Sequence, residues 1–204
     1  MITIIDYGAG NIGSIQNMIR KIGGQALVTS DEKDIANAEK LILPGVGSFD
    51  FGMRQLINSG LIEILNKKVL KEKTPILGIC LGVQLFTTGS EEGELKGLSW
   101  FDADTIKFNI PADKKLKVPH MGWNEVELKK ESKLFTDMYA DPRFYFVHTY
   151  HLKSNSPNDV LTESNYGYNF ASALEKENIV GVQFHPEKSH KFGMKVLSNF
   201  IQYY

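Results

Sequence analysis

The chain has 204 residues, of which 42% are hydrophobic and 23% charged, and its formal net charge is −1. This balance is typical of a globular domain and excludes the basic excess that binding to nucleic acid or anionic lipid requires. No uncharged apolar stretch approaches the roughly 20 residues of a membrane span, and no basic leader precedes the first predicted strand. We therefore expect one domain over residues 1–204, in the cytoplasm, with neither nucleic-acid nor membrane partners.

The first half of the chain alternates short apolar segments with segments of helical spacing. Isoleucines recur at helical spacing after Gly10, and the pair Gly23-Gly24 ends that pattern, as glycine often does after a helix. This rhythm predicts a parallel sheet with helices on both faces. The predicted strands are Ile2–Ile5, Ala26–Thr29, Leu41–Leu43 and Pro75–Ile79, and the predicted helices are Asn11–Ile22, Phe51–Lys71 (broken near Ser59-Gly60) and Gly82–Phe86.

The second half is richer in strand patterns and closes with an amphipathic helix over Lys191–Tyr203. The fold class we predict is α/β, a mostly parallel sheet flanked by helices with an antiparallel extension, in a three-layer, flavodoxin-like arrangement. The predicted strands here are Trp100–Phe108, Asn124–Leu128, Arg143–His148, Asn169–Leu174 and Ile179–Phe184.

The single cysteine, Cys80, lies in the glycine-flanked segment Gly78–Gly82, between a buried strand and a helix. This pattern is typical of a nucleophile elbow, a strained turn that holds a reactive side chain above the carboxyl edge of a sheet. Small flanking residues are required because a Cβ at Gly78 or Gly82 would clash with neighbouring elements. A buried structural cysteine is the alternative, and the pentapeptide alone does not decide between the two.

His185 and Glu187 supply a base and a carboxylate downstream of the cysteine. In an extended chain, residues two apart point to the same side, and Pro186 disfavours a helix. Glu187 can then accept a hydrogen bond from one imidazole nitrogen while the other faces the thiol. Alone, His-Pro-Glu indicates a surface turn, but together with the elbow it indicates a covalent acyl-transfer site.

The segment Pro44–Gly47 follows a predicted strand directly and suits an oxyanion loop. A tetrahedral intermediate needs backbone N–H donors, typically one after the nucleophile and one from another loop. The N–H of Leu81 is the first candidate, and a peptide at Val46 or Gly47 is the second. In isolation the segment would be an ordinary turn.

These motifs together resemble the class I (triad-type) glutamine amidotransferases, and most closely the glutaminase subunits of imidazole glycerol phosphate synthases. The elbow and His-Pro-Glu are shared by the whole class, whereas Pro-Gly-Val-Gly and Pro-His-Met-Gly-Trp-Asn are more specific to these subunits. The matching stretches are Asp6–Asn11, Leu43–Gly47, Gly78–Gln84, Pro119–Asn124, Phe146–Tyr150 and Gly181–Ser189.

The resemblance implies that Cys80 attacks the side-chain amide of L-glutamine, that His185 protonates the departing ammonia and that Glu187 orients His185. Water then hydrolyses the glutamyl thioester, and neither a cofactor nor a metal takes part. A carboxylate also suits the substrate's α-ammonium group. The implied substrate-binding residues are Gln84, Glu92, Thr149 and Tyr150.

The resemblance also implies a partner, a (β/α)8-barrel synthase subunit that receives the ammonia and makes imidazole glycerol phosphate and AICAR in histidine biosynthesis. Hydrolysis without this partner would waste glutamine, so we expect the loop Pro44–Gly47 to be inactive until the barrel binds. An alternative acceptor is a barrel homologue that amidates a sugar for surface polysaccharides. The implied interface residues are Asn11, Pro119, Trp123 and Lys188.

Three other interpretations remain open from the residues alone. The segment Gly8–Gly13, with Asp31 after the next strand, matches the dinucleotide-binding fingerprint of an oxidoreductase, but it leaves the cysteine and its partners unexplained. His148 and His151 are spaced for a zinc site, yet on a strand they would face opposite sides. A non-catalytic interaction module on an amidotransferase fold is the third, and the intact triad disfavours it.

Overall fold

Twelve strands and six α-helices make up the chain, in a computed structural model that describes residues 1–204. A π-helical turn at Lys67–Lys71 and several short 3-10 turns complete it. The helices are α1 (Ile12–Lys21), α2 (Glu32–Ala36), α3 (Phe49–Asn58), α4 (Ile62–Asn66), α5 (Leu81–Leu85) and α6 (His190–Tyr203). The strands are β1 (Ile2–Ile5), β2 (Ala26–Thr29), β3 (Leu41–Gly45), β4 (Ile76–Cys80), β5 (Ala103–Lys107), β6 (His120–Glu125), β7 (Glu127–Leu128), β8 (Arg143–His148), β9 (Tyr150–Ser154), β10 (Val160–Asn165), β11 (Asn169–Lys176) and β12 (Ile179–Val182).

The main sheet is parallel over the strands β2-β1-β3-β4-β12 and antiparallel beyond them, where β11, β10 and β7 follow. Strand β9 pairs with β11 and β5, while β6 and β8 form a separate antiparallel pair. The predicted fold class, a mostly parallel sheet with an antiparallel extension, is therefore confirmed.

Alternating side chains of the parallel strands build two hydrophobic layers, one on each face of the sheet. On β3, Leu41 and Leu43 belong to one buried cluster, whereas Ile42 belongs to the other. Successive residues of a strand point to opposite faces, so a strand buried on both sides is apolar throughout. Helices α3, α4 and α5 contribute to the first layer, and α1 and α6 contribute to the second.

The prediction missed three elements, α2, β9 and β10, and placed several boundaries differently. Helix α2 is five residues long with one buried side chain, Ile35, so it carries almost no periodic signal. Helix Phe51–Lys71 is split near Ser59-Gly60 as predicted, because Gly60 has a φ of 73°. No helix combines the length and apolar character that crossing a membrane would need.

Candidate active site

The turn at Cys80 joins β4 to α5 in a backbone conformation that side chains rarely adopt, with φ 53° and ψ −111°. A Cβ on Gly78 would lie 2.5 Å from the ring of Phe86, and one on Gly82 would lie 1.9 Å from the carbonyl oxygen of Leu43. The predicted need for glycine on both sides of the cysteine is therefore confirmed. The strained turn is of the kind that accumulates at functional sites.

Parallel pairing brings the cysteine and the histidine to the same edge of the sheet. Gly45 of β3 is paired with Cys80, and Val182 of β12 is paired with Ile79. His185 follows β12 by three residues, so it reaches the carboxyl edge beside the elbow. A cleft of about 340 Å³ opens there, lined by Val46, Gly47, Cys80, Leu81, Gln84, Glu92, Pro119, Val147, His148, Thr149, Tyr150, His185 and Lys188.

His185 and Glu187 form a buried pair, with 2.8 Å between Nδ1 and Oε1 and only 2% of each side chain exposed. The prediction of an extended segment is wrong, because Pro186–Lys188 forms one 3-10 turn. Proline is tolerated at the first position of a helical turn, where its missing N–H has no acceptor to satisfy. Ser189 fixes the turn by donating to the carbonyl of His185, at 2.6 Å.

The imidazole faces the cleft with an open nitrogen, since the buried Nε2 of His185 has no hydrogen-bond partner. Burial lowers the pKa of His185, but the neighbouring Cys80 sulfur and the Glu187 carboxylate, which accepts the Nδ1 hydrogen bond, outweigh burial and raise it to about 10. A protonated imidazole that faces the cleft can act as a general acid towards a leaving group.

Four residues predicted to bind substrate, Gln84, Glu92, Thr149 and Tyr150, all line the cleft. Gln84 Nε2 donates to the Tyr150 carbonyl at 3.2 Å and to Gln183 Oε1 at 3.0 Å. Gln183 Nε2 in turn lies 3.8 Å from the sulfur of Cys80. Gln183 is not among the predicted site residues, although a polar residue in the otherwise apolar run Ile179–Phe184 is a signal that could have identified it.

The predicted oxyanion loop lies at the cleft mouth, where Val46 is 43% exposed and Gly47 has a φ of 114°. Leu81 is the first residue of α5, so its N–H has no acceptor within the helix. Glu92 has a second role that the sequence did not indicate. Its Oε2 accepts the N–H of Phe49 at 2.8 Å, which ties Glu92 to the helix that follows the loop.

The four predicted interface residues are all exposed, and two of them lie at the cleft. Pro119 and Lys188 lie on its rim, and Asn11 is exposed between the carboxyl end of β1 and helix α1. Trp123 is 46% exposed and stacks on His190 with 5.5 Å between ring centroids. Trp123 lies on strand β6 and is exposed, as a residue at an interface with a partner must be in the isolated chain.

The argument that one strand would point His148 and His151 to opposite sides is wrong, because the two residues lie on different strands, β8 and β9, which are separated at Thr149. The rings of His148 and His151 both lie against Phe108, with centroids 5.1 and 4.6 Å away. No group of three or more His, Cys, Asp or Glu side chains is placed to hold a metal ion.

Two of the three glycines in the fingerprint-like segment have packing roles in this fold, whereas a Cβ on Gly13 would meet nothing within 4 Å. Gly8 and Gly10 have φ values of 86° and 143°, and a Cβ on them would meet Gln55 and Pro44. Asp31 accepts the N–H of Lys33 at 2.7 Å and so begins helix α2. These contacts account for Gly8, Gly10 and Asp31 without a dinucleotide.

The glutamine amidotransferase class-I family matches residues 3–203, and the chain belongs to this family. It is therefore a glutamine amidotransferase. Among individual proteins, it is 56% identical over 202 residues to "Imidazole glycerol phosphate synthase subunit HisH 2" of Methanococcus maripaludis, covering 99% of both chains. It is 46% identical to the protein of the same name in Pseudomonas aeruginosa, again over 99% of both.

Solved structures share the fold at much lower identity. A crystal structure described as a glutamine amidotransferase matches with a TM-score of 0.76 at 13% identity, covering 99% of this chain and 98% of that one. The structure of PurLQS from Thermotoga maritima matches with a TM-score of 0.71 at 18% identity, covering 99% and 97%.

Proposed function

We propose that this chain is the glutaminase subunit of an imidazole glycerol phosphate synthase, acting in the cytoplasm as one amidotransferase domain. The observation that carries the proposal is the cleft, in which an elbow cysteine meets a buried His185–Glu187 pair. Relatives that match over nearly their whole length bear the name of this subunit. A thiol nucleophile also suits a reducing compartment.

In the first step, the Cys80 thiolate attacks the carboxamide carbon of glutamine and the carbonyl electrons move to oxygen. The N–H groups of Leu81 and of the Val46–Gly47 peptide stabilise this oxyanion. His185 gives its proton to the leaving nitrogen, the C–N bond breaks, and ammonia and a glutamyl thioester result. Glu187 holds the imidazole in the orientation that directs Nε2 at the sulfur.

In the second step, His185 accepts a proton from water, and the resulting hydroxide attacks the thioester. The C–S bond breaks, glutamate leaves and the thiolate is restored. Gln84, Glu92, Thr149 and Tyr150 line the cleft where the amino-acid end of the substrate would lie. A carboxylate and carbonyl oxygens suit an α-ammonium group, which can only donate hydrogen bonds.

The ammonia passes to a (β/α)8-barrel synthase subunit that docks over the cleft mouth. Exposed Trp123, with Met121 at 61% exposure on the same face of β6, supplies an apolar anchor of the kind that dominates interface energies. Exposed Asn11, Pro119 and Lys188 are assigned to the same interface. The oxyanion loop is expected to become competent only in the complex, so the isolated chain hydrolyses glutamine slowly.

The proposal is tested by purifying the chain with the barrel protein encoded in the same organism and measuring two reactions. Glutamine-dependent formation of imidazole glycerol phosphate and AICAR is expected, and Cys80→Ala should abolish it while leaving the ammonia-dependent reaction intact. Conversion of a nucleotide-linked sugar by the co-purified barrel would instead identify a sugar-amidating complex. Glutamine turnover by the isolated chain as fast as in the complex would contradict the dependence on the partner.

A further inference from the structure

A chain of hydrogen bonds leads from the glutamine cleft to strand β6 through two buried histidines. Nδ1 of His148 lies 2.7 Å from the carbonyl oxygen of Tyr150, and its Nε2 lies 2.9 Å from Nδ1 of His120. Nδ2 of Asn124 lies 3.2 Å from Nε2 of His120. His120 is 2% exposed and His148 is 6% exposed, so water does not supply alternative partners for most of these atoms.

The partners fix which atom donates at each step. A carbonyl oxygen only accepts, so Nδ1 of His148 carries the hydrogen and its Nε2 accepts from His120. Nε2 of His120 then accepts from the Asn124 amide. Burial lowers the pKa of His120 to about 4 and that of His148 to about 3, so both rings are neutral at pH 7 and the direction is maintained.

At the cleft end, the chain meets the residues that surround the sulfur. The Tyr150 carbonyl accepts from both His148 and the Gln84 amide, and the same amide donates to Gln183, which contacts Cys80. The position of the Gln84 side chain therefore depends on a carbonyl group that His148 holds in place.

We propose that His148, held by His120, is a positioning residue for glutamine binding, because it fixes the Tyr150 carbonyl that orients Gln84. This inference rests on the proposed glutaminase function. His120 lies on β6, whose outward face carries the exposed Met121 and Trp123. The geometry of the glutamine cleft is thereby coupled to the strand on which the barrel docks.

Two substitutions of His148 distinguish the contributions of its two ring nitrogens. His148→Asn places an amide near the position of Nδ1 and keeps the bond to Tyr150, whereas His148→Gln places its amide near Nε2 and loses that bond. His151→Gln is the matched control. His151 is 4% exposed, packs on the same Phe108 ring and bonds the Tyr168 hydroxyl at 2.9 Å, but it takes no part in the chain to the cleft.

In the complex with the barrel, His148→Gln is expected to raise the KM for glutamine about ten-fold or more, the usual consequence of one lost buried hydrogen bond, with a smaller change in kcat. His151→Gln should stay within about three-fold of the wild-type KM, whereas His148→Asn, which keeps the bond to Tyr150 but lacks the nitrogen that His120 holds, should give a KM between those of His151→Gln and His148→Gln. A merely structural role would instead lower kcat and the melting temperature in all three variants and leave KM unchanged.

A second measurement uses the isolated chain and the reactivity of its only cysteine. Alkylation by 6-diazo-5-oxo-norleucine, a glutamine analogue, requires the substrate site, whereas alkylation by iodoacetamide reports the thiol alone. His148→Gln should slow the first reaction about ten-fold relative to the second. If His148→Gln does not fold, His120→Phe replaces it in this experiment, and the same slowing is expected. This variant keeps a ring between Phe146 and Tyr166.

The outcomes separate this inference from the proposed function. If the wild-type complex does not hydrolyse glutamine, the proposed function fails. If it does, and neither His148→Gln nor His120→Phe changes the KM or the alkylation ratio more than His151→Gln, the positioning role is overturned and the proposed function stands.

Discussion

The elbow geometry makes a quantitative prediction for Gly82→Ala. The added Cβ would lie 1.9 Å from the carbonyl oxygen of Leu43, a backbone atom at the centre of the sheet. No side-chain rotation relieves this contact, so α5 or β3 must move, and overpacking of this kind costs about 3 kcal/mol or more. For a chain of this size that lowers the melting temperature by about 6–12 °C.

Gly13→Ala is the matched control, because Gly13 lies exposed in α1 and a Cβ there meets nothing within 4 Å. Alanine favours the helix by about 0.5–1 kcal/mol, so this variant should melt about 1–4 °C higher than the wild type. Differential scanning calorimetry measures both shifts, and the iodoacetamide rate of Cys80 reports the elbow. A Gly82→Ala protein with wild-type melting and wild-type thiol reactivity would refute the steric argument.

Three further predictions concern charge and docking. Glu187→Gln removes the charge that helps to raise the pKa of His185, so glutamine turnover should fall about ten- to hundred-fold with a shifted pH–rate profile; an unshifted profile would contradict this. The free energy of unfolding should peak near pH 6.5. Below pH 6.5, His120 and His148 take up protons in the unfolded chain, whereas in the folded protein they stay neutral down to about pH 4 and about pH 3. The free energy of unfolding therefore falls as the pH falls, by up to about 1.4 kcal/mol per pH unit for each of the two histidines. Folded His185 holds its proton up to about pH 10, so its contribution is lost as the pH rises from 6.5 towards 10. Urea titrations at pH 4.5, 6.5 and 9 measure the free energy of unfolding on the acid and alkaline sides of this maximum, and equal values at the three pH values would refute the argument. Trp123→Ala should weaken barrel binding at least about ten-fold in calorimetric titrations with little change in melting temperature, and unchanged affinity would remove Trp123 from the interface.

Local patterns predicted the parallel half of the fold because its strands are apolar on both faces. Strands β1 and β2 are found at the predicted bounds, since every residue of β1 is buried, Asp6 follows β1, and Gln25 and Ser30 flank β2. Strand β10 was missed because buried polar residues break its pattern. Thr162 is fully buried, and its hydroxyl lies 2.8 Å from the hydroxyl of Ser172. No local sequence pattern predicts this contact.

Within the candidate site, too, the sequence predicted residues that belong to local motifs and missed residues that act through distant contacts. Cys80 and His185 were found because the elbow glycines and the His-Pro-Glu turn are local features of the sequence. Gln183 and His120 were not found, because their roles arise from contacts with residues far away in the chain. Gln183 is 103 positions from Cys80, and His120 is 28 positions from His148.

Buried polar atoms without hydrogen-bond partners are few, and two of them are Nε2 of His185 and Oε2 of Glu187. Such an atom costs about 1–3 kcal/mol, and the strained backbone of Cys80 costs a similar amount. Part of this local cost therefore falls in the cleft, at Nε2 of His185 and at the turn of Cys80. The proposed chemistry uses both, because the turn presents the sulfur and a saturated Nε2 would have no capacity left to exchange a proton with the substrate. A more stable local arrangement would thus be a poorer catalyst.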